Sequence, residues 1–230
     1  MIYAIGDIHG QRDHLERLIG RITKDAAARN IGRPRLVFLG DYGDRGTESK
    51  GVYDYISSEI FLATFNVTFI MGNHEHMLLA AEQSPHNATR WLTNGGAEFI
   101  ESYGFRFGRA SSAMLPEFFA AFPTQHRIFL ERTRLWHAEA GYLFVHAGID
   151  PAHPNARDPD TLLWIREPFL SCVDDWTVTV VHGHTANPSV VVLPNRIGVD
   201  TGCGLRPNNA LSAVVLGTMG DPLRIISSSA

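Results

Sequence analysis

Met1-Ile2-Tyr3-Ala4-Ile5-Gly6-Asp7-Ile8-His9-Gly10 opens the chain, and the way this stretch is punctuated decides the fold. A short apolar run, residues 1–5, stops at a glycine and delivers an aspartate and a histidine two positions apart. An apolar run of that length bounded by turn residues is consistent with a buried strand. Residues i and i+2 of an extended chain share a face, so Asp7 and His9 leave the strand end on the same side. The glycine before the aspartate allows a sharp turn with no Cβ in the way.

The same punctuation recurs. Residues 36–39 run into Gly40-Asp41, with Asp44 and Arg45 close behind; residues 67–71 run into Gly72-Asn73-His74. Residues 142–145 run into His146, and residues 178–181 into His182-Gly183-His184. Helical patterns fall at about 12–28, 50–62, 75–82 and 116–122. The first half therefore reads βαβαβα, an α/β arrangement with right-handed crossovers whose ligands gather at the carboxyl ends of the strands. The last third differs: residues 190–193, 196–199, 211–216 and 223–226 look like a strand meander separated by Pro, Asn and Gly turns. No repeat or low-complexity linker divides the chain. One domain over residues 1–230 is expected, with a helical insert at about 83–137 that holds no ligand-like cluster.

Composition narrows the function classes. Hydrophobic residues make up 44% and charged residues 19% of 230, an ordinary globular balance. Twenty Lys+Arg stand against 24 Asp+Glu, a formal net charge of −4, and no basic run offers a track for a phosphate backbone. Nucleic acid is therefore not an expected partner. No apolar stretch approaches the roughly 18–20 residues of a membrane span, and the first residues lack the basic start of a secretory signal. A cytoplasmic monomer away from membranes is the expectation. The two cysteines, Cys172 and Cys203, form no disulfide framework.

The strand-end residues carry the chemistry. Carboxylate oxygen, imidazole nitrogen and amide oxygen together suit hard or borderline divalent ions, with manganese first and iron or zinc as alternatives. No cysteine stands among them, which argues against a structural zinc knot. Singly, each residue has a blander reading: an aspartate after a strand caps a helix, Asn73 makes a turn, His146 bonds backbone inside a core. Five clusters in order, each at a strand end, select the metal reading. By contrast His14, His76, His86, His126, His137 and His153 belong to no motif and read as surface or core histidines.

Gly6-Asp7-Ile8-His9-Gly10, Gly40-Asp41-Tyr42-Gly43-Asp44-Arg45-Gly46 and Gly72-Asn73-His74-Glu75 resemble the three signatures of the phosphoprotein phosphatase branch of the calcineurin-like metallophosphoesterases. His146-Ala147-Gly148 and Gly183-His184-Thr185 are similar to its later histidine turns. Leu162-Leu163-Trp164-Ile165-Arg166 and Trp91-Leu92-Thr93-Asn94-Gly95-Gly96 are similar to stretches of bacterial members. The resemblance runs from residue 1 to about 216. It implies two packed mixed β-sheets flanked by helices. It also implies that Asp7, His9 and Asp41 hold one metal, and that Asp41 bridges to a second completed by Asn73, His146 and His184. Arg45 and Arg166 would clamp phosphate oxygens, and His74, oriented by Asp44, would be the general acid. The implied reaction is direct attack of a metal-bridging hydroxide on a phosphomonoester.

Charge counting fits that implication. Two divalent ions set against Asp7, Asp41 and hydroxide leave a positive surplus, which favours a dianionic phosphate. Arginine forks match phosphate geometry. The expected activity is that of a phosphoprotein phosphatase acting on phospho-Ser/Thr, with a phosphoprotein or phosphopeptide as partner. The alternative is a symmetrical dinucleoside tetraphosphatase, for which Arg90, Arg106 and Arg109 of the insert are the candidate anion patch; a non-catalytic binding module is a third, weaker reading. Three departures from the family pattern stand out. Gly43 replaces a usual valine, so Gly43→Val is expected to raise stability without lowering activity. Ala186 replaces a second histidine found in general metallophosphoesterases. Gly202 falls about where eukaryotic members carry a tyrosine. His182 competes with His184 for the ligand role but reads as a supporting residue behind it.

Overall fold

The computed structural model describes residues 1–106, 114–206, 209–217 and 223–229; Arg109 lies outside them. In chain order the elements are β1 (Ile2–Ile5), α1 (Arg12–Ala28), β2 (Arg35–Phe38), α2 (Ser49–Ile56), α3 (Glu59–Thr64), β3 (Asn66–Phe69) and α4 (Asn73–Ala81). Then come α5 (Pro85–Trp91), α6 (Ala97–Ser102), α7 (Leu115–Ala121), α8 (Thr124–Glu131), β4 (Trp136–Glu139), β5 (Tyr142–Val145) and α9 (Pro159–Trp164). The last strands are β6 (Thr179–His182), β7 (Val191–Val192), β8 (Arg196–Gly198), β9 (Ser212–Leu216) and β10 (Arg224–Ser227).

The strands form two mixed sheets, in the orders β10-β9-β1-β2-β3 and β4-β5-β6-β8-β7. In the first, β1, β2 and β3 are parallel while β9 and β10 run antiparallel beside them. In the second, β5, β6 and β8 are parallel and β4 and β7 are antiparallel edges. The period-2 alternation of strand side chains explains the layering. Ile2, Ala4, Val37, Leu39, Val214 and Leu216 face Tyr142, Phe144, Val181 and Ile197 in the core between the sheets. Their neighbours Tyr3, Ile5, Leu36, Phe38 and Val215 point the other way, into a core roofed by helices. Leu143, Val145 and Val180 pack outward with Leu162, Phe169 and Trp176. A strand buried on both faces needs apolar residues at every position, which is why these runs read as continuous.

α1 buries Leu15, Leu18, Ile19, Ile22 and Ala26, the three-and-four spacing of one helix face. The single helix expected over 50–62 is two. Ser58 adopts an extended backbone, and its Oγ accepts from the Phe61 amide at 3.2 Å, starting α3 anew. Serine at that position is a better helix cap than an interior residue. β4 and α9 are additional to the expected elements; both are too short for a clear periodic signal.

Gly43 reverses one expectation. A Cβ built there would lie 2.6 Å and 2.7 Å from Phe99 Cε2 and Cδ2 and 3.3 Å from Tyr53 Cε2. Phe99 belongs to α6, in the insert, and is locked by rings of Tyr53 and Trp91 at 5.4 Å and 5.7 Å. Phe99 therefore occupies the space a valine would take. Gly43→Val is expected to lower the melting temperature, at an overpacking cost of about 1–3 kcal/mol. Thermal denaturation checks it; an unchanged or raised Tm would mean that Phe99 swings aside freely.

Candidate active site

All six parallel strands end on the same rim of the sandwich. Asp7 and His9 follow β1, Asp41 follows β2, Asn73 follows β3, His146 follows β5, His184 follows β6 and Asp200 follows β8. Turning so sharply strains the chain. His9, Asp41, Asp44, Arg45 and His184 all take positive φ, between 47° and 66°. Each such non-glycine residue costs on the order of 1–3 kcal/mol and persists only where the surroundings impose it. The surroundings here are backbone bonds: the Ile8 and His9 amides donate to Asp41 O at 3.0 and 2.9 Å, and the Gly10 amide donates to Tyr42 O at 2.9 Å. Two glycines permit close approach. A Cβ on Gly183 would stand 2.1 Å from Asp7 Oδ1, and one on Gly72 would stand 2.1 Å from Asp41 Oδ1.

Asp41 is the hub. Its Oδ2 lies 3.5 Å from His9 Nε2 and 3.9 Å from His74 Nε2, and its Oδ1 lies 3.4 Å from His146 Nε2. Among the described residues two trios share it, His9–Asp41–His74 and Asp41–His146–His184, each with ligand-type atoms within 4.8 Å of one another. Burial disfavours a charge on Asp41, but the positive charge that His146, His74, His9 and His184 carry when protonated outweighs burial and holds its carboxyl below the usual range. Asp7 belongs to neither trio. Its Oδ2 accepts from the His184 amide at 3.0 Å. Burial, then the charges of Asp200 and Asp41, push its carboxyl well above the ordinary value.

The imidazoles are prepared as electron-pair donors. His9 Nδ1 donates to Gly43 O at 3.1 Å and His146 Nδ1 to Leu39 O at 2.7 Å, so each keeps Nε2 for the site. Burial pushes the pKa of His9 and of His184 down to about 3 and lowers that of His146, leaving all three neutral at pH 7. His146 Nε2 then faces Asn73 Oδ1, acceptor to acceptor, at 2.8 Å. His184 Nε2 and Asp7 Oδ1 are buried with no hydrogen-bond partner among the described residues. An orphaned buried polar atom costs about 1–3 kcal/mol. A cluster of neutral imidazoles, carboxylates and an amide oxygen with unmet acceptors fits divalent cations.

A second group flanks the hub. His74 Nδ1 lies 2.6 Å from Asp44 Oδ2. Trp91 Nε1 donates to both Asp44 oxygens at 3.1 and 3.0 Å. Burial opposes a charge on His74, yet Asp41 and Asp44 overcome it and raise its pKa. Arg45 reaches His9 Nε2 at 2.8 Å and His74 Nε2 at 3.2 Å. The guanidinium must leave both nitrogens before the first can ligate or the second can carry a proton. Arg166 is exposed and makes no side-chain hydrogen bond among the described residues. Its charge nonetheless disfavours protonation of His146 and His184, which sets it beside the same cluster. His182 is buried behind the site, its Nδ1 donating to Gly183 O at 3.1 Å and its ring against Phe169.

Three residues of the site have no role assigned from the sequence. Glu75 accepts from the amides of Asp41, Tyr42 and Gly72 at 2.9, 2.9 and 3.0 Å, tying the second and third turns together. Asp200 stands next to Asp7, and burial raises its carboxyl to about 6. It follows an apolar run as Asp7 and Asp41 do, but Val199 rather than a glycine precedes it, so the punctuation is incomplete. Trp91 opens a stretch similar to bacterial members, but nothing local ties its indole to Asp44; folding brings the insert there.

The comparisons agree with this architecture. A symmetrical bis(5'-nucleosyl)-tetraphosphatase from Dechloromonas aromatica is 32% identical over 151 residues, 65% of this chain and 44% of that protein. One from Cellvibrio japonicus is 25% identical over 199 residues, 82% of this chain and 59% of that protein. The chain thus spans between about two fifths and three fifths of the length of these curated relatives. A solved structure provisionally assigned as a diadenosine tetraphosphatase superposes with a TM-score of 0.64 at 21% identity, covering 98% of this chain and 92% of its own, a likeness of fold. The calcineurin-like phosphoesterase profile runs through every one of these strand ends, from residue 1 to residue 216, and the chain belongs to that family.

Proposed function

We propose that this protein hydrolyses dinucleoside polyphosphates, cleaving a phosphoanhydride within the phosphate chain, as the name symmetrical tetraphosphatase describes for its relatives. The observation that carries this reading is the match to such a protein across 82% of the chain. It favours the alternative reading of the sequence over the phosphoprotein one.

His9, Asp41, Asn73, His146 and His184, with Asp7 behind the His184 amide, would hold two divalent ions. Such ions supply Lewis acidity to phosphoryl oxygens and lower the pKa of a water near neutrality. The protein's own groups do the rest. Arg45 swings from His9 and His74 onto phosphate oxygens, where its fork matches their geometry. Arg166 adds charge from the other side. His74, aligned by Asp44 and Trp91, gives a proton to the leaving oxygen.

The phosphoprotein reading keeps a specific support in the similarity of Leu162–Arg166 to bacterial members of that branch. One assay separates the two: kcat/KM on a dinucleoside tetraphosphate, a phosphothreonine peptide and an aryl phosphate, all with Mn²⁺. The dinucleotide is expected to be preferred over the peptide by more than about tenfold, equivalent to ~1.4 kcal/mol of transition-state binding. A peptide preference of that size would reverse the assignment.

A further inference from the structure

Arg90 lies in the last turn of α5 and is exposed, yet its guanidinium is not loose. Its Cζ stands 4.3 Å from the centre of the Trp164 ring. That ring, half-buried at the end of α9, meets His184 edge-on at 6.2 Å, and His184 stands 5.0 Å from His146. A row of cation, indole and two imidazoles therefore leads from solvent to the hub. The backbone beneath Arg90 is fixed as well. Its carbonyl accepts from Thr93 Oγ1 at 3.0 Å and Asn94 Nδ2 at 2.7 Å, and the next residue, Trp91, is bonded to Asp44. Arg90 is thus anchored on one side to the His74–Asp44 pair and on the other to the His184 side of the site.

Its charge is also unspent. Arg12 pairs with Glu16, Arg127 with Glu82 and Arg224 with Asp25. Among the described residues neither Arg90 nor Arg166 has a carboxylate partner. An aromatic face positions a guanidinium without neutralising it or using its N–H groups in the ring plane. Arg45 and Arg166 already have the one phosphoryl group of the proposed function, which leaves the guanidinium of Arg90 without a part in a simple monoester.

We infer that Arg90, seated on Trp164, binds the phosphate that follows the scissile one, so that the insert makes the site selective for phosphate chains. The inference rests on the polyphosphate reading above and names the residue that produces it. Arg90→Ala should leave binding of a single phosphoryl group intact and weaken binding of two linked groups. Arg90→Lys, a point charge that stacks poorly, should fall between.

The test is competitive inhibition of aryl phosphate hydrolysis, paired with calorimetric titration, by methylenediphosphonate and by orthophosphate on the Mn²⁺-loaded protein. Metal content and Tm are measured for each variant. Arg90→Ala is expected to weaken the diphosphonate about tenfold or more, as for a lost charge-assisted bond, and orthophosphate by less than about twofold. Equal weakening of both ligands, or no change in either, would overturn the inference. The outcome is independent of the peptide-versus-dinucleotide ratio of the unmodified protein. A peptide preference with diphosphonate selectivity lost in Arg90→Ala would sink the functional reading and leave the subsite. A dinucleotide preference without that loss would do the reverse.

Discussion

Asp41→Asn is expected to remove bound metal and hydrolysis together. Asp41 is the one side chain common to both ligand-type trios, with one oxygen 3.5 Å from His9 Nε2 and the other 3.4 Å from His146 Nε2. Asparagine keeps the shape and can still accept the His74 amide bond that Asp41 Oδ1 receives at 3.1 Å. It loses the negative charge between two cation positions and turns one acceptor into a donor. Removing a partner behind a ligand commonly costs about 10–100-fold in metal affinity or activity. Loss of a shared ligand should exceed that on both measures. Metal analysis should fall from two equivalents per chain to fewer than one, with kcat/KM falling in parallel. A single equivalent in the active unmodified protein would dismantle the two-ion arrangement itself.

His74→Ala should separate the two measures. His74 is bonded to Asp44 and Arg45 and is the proton carrier of the proposed mechanism. Its removal should spare metal content while lowering kcat by ~10²–10⁴ on an alkyl phosphate, whose alkoxide leaves only with a proton. Aryl phosphates and phosphoanhydrides release weakly basic anions and should lose less. Equal losses on alkyl and aryl substrates would rule out proton donation, and loss of metal would make His74 a ligand, in line with its place in the His9–Asp41–His74 trio.

The strand ends were legible because their chemistry is local. Each apolar run, its glycine and its polar residue lie within a few positions, and both faces of the strands are buried, so composition and position agree. The alternating outer strands of the second sheet were less so: β4 carries only a partly buried Trp-His-Ala-Glu pattern. The least legible feature was the role of the insert. Nothing near Trp91 in the sequence says that its indole will bond Asp44, forty-seven positions earlier. Likewise the glycine at position 43 looked like a lost valine, because the ring that fills its space belongs to Phe99. Long-range pairings of this kind conserve volume and hydrogen bonds across the fold, and no window along the chain contains both halves.

The central position of β1 has a consequence for the protein's birth. Its neighbour β2 is made soon after it, but its other neighbour is β9, whose residues 213–216 pair with residues 2–5. At a synthesis rate of about 5–20 residues per second, that side of β1 waits roughly 10–40 s for its partner. An unpaired strand edge is a template for other chains. A ribosome that stalls before residue 212 releases a product with nearly every ligand candidate and an open sheet. Such a product offers that edge to other chains instead of closing its own sheet.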